Sequence, residues 1–418
     1  MNMNSEPRPD IAPPEPPSGS TEGSLVSSPA LSPQNAEKGF EAPDRRGAGQ
    51  LLTGRAARDL GRSQSPLQLA WRELRKNKLA VAGLWMLVAF YTVAFFGQFF
   101  APFHFQDQNP QGINASYHPP MNIHVRDAQT GAFSAPFCYG TLYQNGEWLA
   151  DPNKKLPLRF GIHGTPYKLW NLIPTDVHFV GAQDGPVFLL GTDEFGRDYL
   201  SRLIYGSMIS LSVGFIGIII TFVLGLLVGG IAGYYGGRTD DIIMRACEIM
   251  MSIPDFYLLL ALAAALPPTL NPVAVYLLII AILSFVGWAG MARIIRGMVL
   301  SVREREYVEA GRALGLNDLQ LITRHVLPST FTYAIIAATM SVPGYILAES
   351  GLSFLGLGIR DPMASWGNML SAAQNLTTLT TRPWILAPAF AIFFTTLAFN
   401  FLGDGLRDAL DPKSRKLG

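Results

Sequence analysis

The chain has 418 residues, of which 49% are hydrophobic and 15% are charged, with a formal net charge of +1. Since soluble domains carry roughly 25% charged residues, this composition indicates a membrane protein, and the near-neutral charge argues against a nucleic-acid partner. The two cysteines, Cys138 and Cys247, form no metal-ligand pattern in the sequence, so we predict no metal site and no cofactor.

The first 66 residues are rich in Pro, Ser, Gly, Glu and Ala and have no sustained apolar period. Such a stretch buries too little apolar surface to offset its ordering entropy, so we predict a disordered cytoplasmic tail over residues 1–66. It lacks the basic start, apolar middle and cleavage site of a secretory signal. A dispensable tail and a regulatory or targeting tail both remain open.

Residues 67–102 form a basic amphipathic lead-in followed by an apolar run over residues 79–101. This run is long enough to be the first transmembrane helix, and its basic leading flank predicts a cytoplasmic N-terminus. Residues 103–190 are polar, rich in Pro, Gly and Asn, and carry recurring aromatic residues. That length exceeds a plain connector, so we predict an extracytoplasmic subdomain there, either irregular or β-rich.

Residues 191–418 form the predicted permeation core, with five further apolar spans. The spans are predicted over residues 207–232, 242–266, 273–295, 329–347 and 383–402. Arginines flank the segments assigned to the cytoplasm, and the C-terminal tail is basic, so both termini are predicted inside. Glu248 lies within the third span and is interpreted either as a functional acid or as a partner of Arg245. The predicted fold is an all-α polytopic membrane protein with six transmembrane helices.

A charged hairpin at residues 304–325 separates two of these apolar runs. Its first helix is predicted to end at Gly315, and Asn317 with Gln320 forms a predicted capping box for the second helix. Pro328 suits the first turn of the next span, and His325 is interpreted as a C-terminal helix cap. Small residues are predicted to leave one side of the first helix bare, so that another helix can approach closely: Ala310, Gly311, Ala313 and Gly315. An ordinary loop is the alternative.

The hairpin resembles the EAA loop of ABC importer permeases. Glu309-Ala310-Gly311, then Gly315, then His325-Val326-Leu327-Pro328 follow its pattern, with departures at Gly311 and Ser329, where the family usually has Ala and Asn. The run LGTDEFGRDYLSR over residues 190–202, and the run ESGLSFLGLGIRDPMASWG over residues 349–367, are similar to motifs of the dipeptide, oligopeptide and nickel permease subfamily. The resemblance covers residues 67–102 and 188–418.

The resemblance implies a C-type permease subunit whose hairpin seats in an ATPase subunit and carries its motion to the membrane helices. The residues assigned to this coupling are Glu306, Glu309, Ala310, Gly311, Ala313, Gly315, His325 and Pro328. The residues assigned to substrate or receptor contact, or to gating, are Asp193, Arg197, Asp198, Glu349, Asp361 and Trp366. Asp193, Arg197 and Asp198 recur at helical spacings, so an interfacial helix with local ion pairs is their alternative. For Glu349 and Asp361 the alternative is the capping of short helices.

The sequence contains no phosphate-cradling G-x-x-x-x-G-K-[ST] motif and no recognised hydrolase motif, so ATP hydrolysis is expected in partner subunits. The resemblance implies a related B-type permease, two cytoplasmic ATPase subunits and an extracytoplasmic substrate-binding protein, all at a bacterial inner membrane. Peptides are the expected substrates, with nickel, sugars and peptide antibiotics as alternatives. A stand-alone secondary transporter would need intramembrane ion pairs or inverted repeats. A membrane-anchored enzyme would need a catalytic set in residues 103–190, and none is recognisable in the sequence.

Overall fold

The computed structural model of the protein describes residues 71–108, 115–170 and 172–410. The predicted tail over residues 1–66 lies outside the described residues, as does the end of the basic C-terminal segment. The first span consists of α1 (Lys78–Phe95) and the short α2 (Gly97–Phe100). The Asn77 side chain caps α1 by accepting hydrogen bonds from the first-turn N–H groups, which fixes the start of the helix directly after the basic lead-in.

The long segment between the first two spans forms the β-rich alternative. A three-stranded antiparallel sheet and a separate hairpin are built from β1 (His124–Arg126), β2 (Phe133–Gln144), β3 (Glu147–Pro157), β4 (Arg159–Leu169) and β5 (Ile173–Gly181). A small core of its own includes Leu156 and Phe188. The Trp170 indole N–H donates to the Phe95 carbonyl oxygen over 2.8 Å, so this subdomain sits on the C-terminal end of α1. That side of the helix bundle is called the subdomain end below, and the opposite side the hairpin end.

Five described helical segments are long and apolar enough to cross a membrane. They are Lys78–Phe95, Tyr199–Tyr235 (α3), Pro272–Arg303 (α6), Asp318–Phe354 and Pro383–Leu410. A sixth span results if α4 (Gly237–Ser252) and α5 (Asp255–Ala264) are taken together, although they are bent by 80°. The predicted number of six is reached in this way, but the third span is broken rather than continuous. The break follows from Pro254, which lacks an N–H and keeps the preceding Ile253 extended.

The fifth span differs from the prediction over residues 329–347. The second hairpin helix, α8 (Asp318–Leu321), continues through a π-helical turn (Ile322–Val326) into α9 (Leu327–Phe354) without interruption. His325 therefore lies inside one continuous helix, and its predicted role as a C-terminal cap is wrong. At about 1.5 Å per residue, the 37 residues of Asp318–Phe354 form a rod about 55 Å long.

The chain after α9 returns through short elements before the last span. These are α10 (Trp366–Leu370), a 3-10 turn (Ser371–Gln374), α11 (Leu376–Thr381), a second 3-10 turn (Pro383–Leu386) and α12 (Ala387–Leu410). The predicted re-entrant or interfacial segment over residues 348–370 thus begins inside α9 and ends in α10.

Close helix contact organises the centre of the bundle, where α3 packs against both α6 and α9. A Cβ atom added at Gly229 would lie 2.3 Å from the Ala292 carbonyl oxygen, and one at Gly225 would lie 2.5 Å from the Met291 Cγ atom. The glycines of α3 therefore allow backbone approach to α6, as small residues do in membrane helix pairs.

Candidate functional site

The hairpin has the local geometry that its sequence predicted. Helix α7 (Glu306–Ala313) is followed by Gly315 at φ +82°, and the Leu316 N–H donates to the Gly311 carbonyl over 3.2 Å. Asn317 and Gln320 form the reciprocal capping box, with N–H to side-chain oxygen distances of 2.8 and 3.1 Å. The C′ glycine and the capping box are therefore both confirmed.

The bare face of α7 is narrower than predicted. Ala310, Ala313 and Gly315 are exposed, but Gly311 is buried, and a Cβ atom there would lie 2.9 Å from the Leu321 Cδ2 atom. Gly311 thus belongs to the inner seam between α7 and α8 and not to the outer face. The outer surface also carries Leu314, which is 84% exposed.

The remaining residues assigned to coupling differ in their surroundings. Glu306 and Glu309 are exposed in the first turn of α7, where a carboxylate interacts favourably with the helix dipole. His325 is half-buried in the π-helical turn, and Pro328 is exposed in the first turn of α9. Glu306, Glu309, His325 and Pro328 therefore do not share one environment in the structure.

Two connections that sequence reasoning missed hold the hairpin to the bundle. The Tyr234 hydroxyl at the end of α3 donates to the Asp318 carboxylate over 2.7 Å. The Arg303 guanidinium at the end of α6 donates to the Gly233 carbonyl over 3.0 Å. A polar side chain in the last turn of an apolar helix does not by itself predict a contact with another helix, because such side chains usually contact water. Here the Tyr234 bond ties the start of the rod to α3, and the Arg303 bond ties the end of α6, just before the hairpin, to the same part of α3.

At the subdomain end the structure brings together three of the residues assigned to substrate contact or gating. The Arg197 guanidinium lies 2.6 Å from the Asp193 carboxylate and 3.0 Å from the Asp361 carboxylate. Arg202, one turn into α3, lies 2.9 Å from the same Asp361 oxygen. We call these four residues (Asp193, Arg197, Arg202 and Asp361) the polar cluster. Asp193 and Arg197 belong to a tight turn that precedes α3, and not to a helix as their spacing predicted.

The members of the polar cluster differ in how far their side chains are exposed. The side chains of Arg197 and Arg202 are 7% and 4% exposed, whereas that of Asp361 is 54% exposed. Charge-assisted hydrogen bonds from two buried guanidinium groups hold the loop that carries Asp361 against the start of α3. Asp361 is therefore the member that can be reached from outside, and its separation from the arginines would free that loop.

Asp198 has a capping role that neither of its interpretations from the sequence included. It is the N-cap of α3 and accepts a hydrogen bond from the Ser201 N–H over 2.7 Å. Burial raises the pKa of Asp198 to about 7. Its second carboxylate oxygen has no hydrogen-bond partner among the described residues. The Asp198 side chain thus faces the protein interior.

Glu349 and Trp366 lie one layer deeper, where α3, α9 and α10 meet. Glu349 is fully buried and accepts hydrogen bonds from the Ser210 and Ser353 hydroxyl groups over 3.0 and 2.7 Å. The Trp366 indole N–H donates to the Leu203 carbonyl over 3.0 Å. These side chains fasten the far end of the rod to α3, and Ser210 carried no sequence signal that pointed to this role.

Comparison with known proteins identifies the family. The model of the family described as "Binding-protein-dependent transport system inner membrane component" matches residues 225–416, and that of the "N-terminal TM domain of oligopeptide transport permease C" matches residues 65–120. The "Dipeptide transport system permease protein DppC" of Bacillus subtilis (strain 168) is 37% identical over 85% of this chain and 88% of that protein. The chain belongs to this family of binding-protein-dependent transport permeases.

Two further relatives agree with that assignment. The "Dipeptide transport system permease protein DppC" of Alkalihalophilus pseudofirmus is 32% identical over 84% of this chain and 91% of that protein. The "Oligopeptide transport system permease protein OppC" of Haemophilus influenzae is 45% identical over 54% of this chain and 70% of that protein. The protein is a multi-pass membrane permease, which confirms the family and the helical membrane fold predicted from the sequence.

Proposed function

We propose that this permease is the C-type subunit of an ABC importer that moves dipeptides and oligopeptides into the cytoplasm. The observation that carries the proposal is the long match to a dipeptide permease, 37% identical over 85% of this chain. Relatives named for peptides favour peptides over nickel, sugars or peptide antibiotics. The importer further requires a B-type permease, two ATPase subunits and a soluble binding protein.

The proposed orientation places the hairpin in the cytoplasm and the β subdomain outside. Arginines concentrate at the hairpin end, among them Arg238, Arg245, Arg303 and Arg305, as the positive-inside rule requires. Glu248 forms an ion pair with Arg245 over 3.2 Å, as the second of its two interpretations proposed. A cysteine introduced at Lys154 should react with a membrane-impermeant reagent in intact cells, and reaction only after permeabilisation would reverse the orientation.

Coupling is assigned to the rod formed by α8, the π-helical turn and α9. Its hairpin end is joined to α3 through Tyr234 and Asp318, and its subdomain end through Glu349 and Ser210. An ATPase that closes on α7 would displace one end of the rod. Because the helix is continuous over about 55 Å, its other end would move too, and with it the loop held by the polar cluster. This is a rigid-element coupling between two sites.

ATP hydrolysis is assigned to separate subunits, since the sequence carries no phosphate-cradling motif. The test is reconstitution of the permease with its genomic neighbours in proteoliposomes, with labelled trialanine as the probe. We expect uptake that requires ATP and the binding protein. Uptake driven by a proton gradient without ATP would instead support a stand-alone secondary transporter and would overturn the proposal.

A further inference from the structure

The tip of the β4–β5 hairpin lies against the end of the first span. The Trp170 backbone N–H donates to the Gln98 side-chain oxygen over 3.0 Å, and the centre of the Trp170 ring lies 4.8 Å from that of Phe95. Next to this contact, Leu172 and Ile173 are 78% and 52% exposed. The tip therefore presents aliphatic side chains to its surroundings at the level where α1 ends.

The length of α1 gives the depth of this tip in the membrane. Its 18 residues, Lys78–Phe95, rise about 27 Å, which is close to the roughly 30 Å of a hydrocarbon core. Lys78 begins the helix at the hairpin end, so Phe95 lies near the opposite boundary between acyl chains and headgroups. Tryptophan rings favour that boundary. The position of Trp170 beside Phe95 thus places the tip in the lipid leaflet at the subdomain end.

An apolar groove of about 610 Å³ runs between α1 and α3 beneath Trp170. Its walls include Val88 and Phe95 of α1, and Met208 and Phe215 of α3. Each of these pairs is seven residues apart, so the groove extends for about 10 Å along the helices. No charged side chain of the described residues lines it. The groove therefore suits a narrow hydrocarbon chain that lies parallel to the helices.

A polar cavity of about 400 Å³ adjoins the apolar groove. The two are joined by the hydrogen bond between Gln98, which lines the cavity, and Trp170, which lines the groove. On α3 they follow one another, because Tyr205 in the cavity lies one turn from Met208 in the groove. Since α3 begins at the subdomain end, the cavity lies at the level of the lipid headgroups.

The polar cavity is complementary to an anion. Its lining includes three side chains that can donate hydrogen bonds, Lys168, His104 and Tyr205. The exposed Lys168 ammonium group has no hydrogen bond or ion pair with any other of the described residues. The Asp107 carboxylate accepts a hydrogen bond from the His104 N–H over 3.3 Å and does not line the cavity. A phosphate group bound there would gain a charge-assisted hydrogen bond from Lys168.

We propose that the cavity and the groove together bind one anionic phospholipid from the leaflet at the subdomain end. Its phosphate contacts Lys168, and one acyl chain follows the groove between α1 and α3 beneath Trp170. Lysine near a membrane surface attracts anionic lipids, and burial of each methylene group in the groove is favourable. The lipid would fill the space between the first span and α3. This site takes no part in the proposed import cycle and does not depend on the substrate.

The first test is photocrosslinking in the assembled importer, reconstituted in vesicles of phosphatidylethanolamine. The probes are phosphatidylglycerol and phosphatidylcholine that carry the same diazirine on an acyl chain. We expect phosphatidylglycerol to label the groove residues about fivefold more, the ratio that one lysine at a membrane surface produces. Lys168→Gln should abolish this excess and Lys168→Arg should retain it. Lys154→Gln, the matched control at an exposed lysine of β3, should leave it unchanged.

Equal labelling of the groove by the two lipids, or an excess that survives Lys168→Gln, would overturn the proposal. Absence of groove labelling by both lipids would show that another protein segment, such as the second permease, covers the groove, and would also overturn it. Trp85, an exposed residue of α1 that does not line the groove, provides the baseline and should be labelled equally by both lipids.

The second test measures the depth of the hairpin tip with a bimane fluorophore attached to Leu172→Cys in the same vesicles. Because Cys138 and Cys247 are buried, the unaltered protein gives the background. We expect quenching by lipids with brominated acyl chains and little quenching by aqueous iodide. The same fluorophore at Lys154→Cys should show the reverse. If iodide quenches the label equally at both positions, the tip lies in water, the cavity lies above the bilayer, and the proposal is overturned.

Discussion

Substitution of Gly315 by aspartate tests the docking surface most directly. Gly315 has φ +82°, and a Cβ atom added there meets no heavy atom of this chain within 4 Å. The cost to the permease itself is therefore only backbone strain, about 1 kcal/mol. The hairpin should still form and the permease should still insert.

The larger effect is expected at the interface with the ATPase. Gly315 lies beside the exposed Ala310, Ala313 and Leu314, so a partner seated on this face would bury the new carboxylate without a counter-ion. An unpaired buried charge weakens an interface by a few kcal/mol. Since about 1.4 kcal/mol corresponds to tenfold, association should weaken by about a hundredfold or more.

The assay is copurification of the ATPase subunits with tagged permease extracted from membranes, together with peptide uptake. Gly237→Asp is the matched control, because Gly237 also has positive φ, at +52°, with no heavy atom within 4 Å of an added Cβ, but lies outside the hairpin. Arg324→Gln, at an exposed position of the π-helical turn, should leave the yield of the ATPase subunits nearly unchanged, because exposed charges contribute little to association. Wild-type yield of the ATPases with Gly315→Asp, accompanied by normal uptake, would refute the docking role of the hairpin.

Two further predictions concern the hairpin end of the rod and the N-cap of α3. Tyr234→Phe removes the hydrogen bond to Asp318, which is worth about 1 kcal/mol. We expect less peptide to enter per ATP hydrolysed, while the ATPase subunits remain bound. An unchanged ratio of peptide to ATP would show that this bond has no part in coupling. Asp198→Asn should raise the thermal unfolding temperature in detergent at pH 8, and the gain should be smaller at pH 5. The folded-state pKa of about 7 exceeds the unfolded value of 3.8, so between these pH values the native state holds a proton that the unfolded chain has released. The unaltered protein therefore loses stability as the pH rises from the unfolded pKa toward the folded pKa, and the full loss is present at pH 8. Equal shifts at both pH values would contradict burial of this carboxyl.

The membrane spans and the local geometry of the hairpin could be predicted from the sequence alone. Six apolar runs, the C′ glycine at 315 and the capping box of Asn317 with Gln320 were predictable, because each depends on residues within one helical turn or on a continuous stretch. The family resemblance rests on the same local runs. Such patterns need no knowledge of what packs against them.

Tertiary structure decided which of those residues meet. Arg197 and Asp361 are separated by 164 positions in the chain, and nothing in either local run shows that their side chains form one ion pair. Gly311 was assigned to the outer face because a glycine has no side chain to reveal a direction. Only Leu321 packed against it places it in the inner seam.

The same reason accounts for the broken third span and the continuous rod. Pro254 and Pro328 are both prolines near apolar runs, yet the first breaks its span and the second is accommodated in the first turn of α9 after a π-helical turn. The backbone before Pro254 is extended at Ile253, whereas the backbone before Pro328 stays helical by widening into the π-helical turn. Both prolines restrict the chain in the same way, so the local pattern does not show which of the two backbones the packed structure adopts.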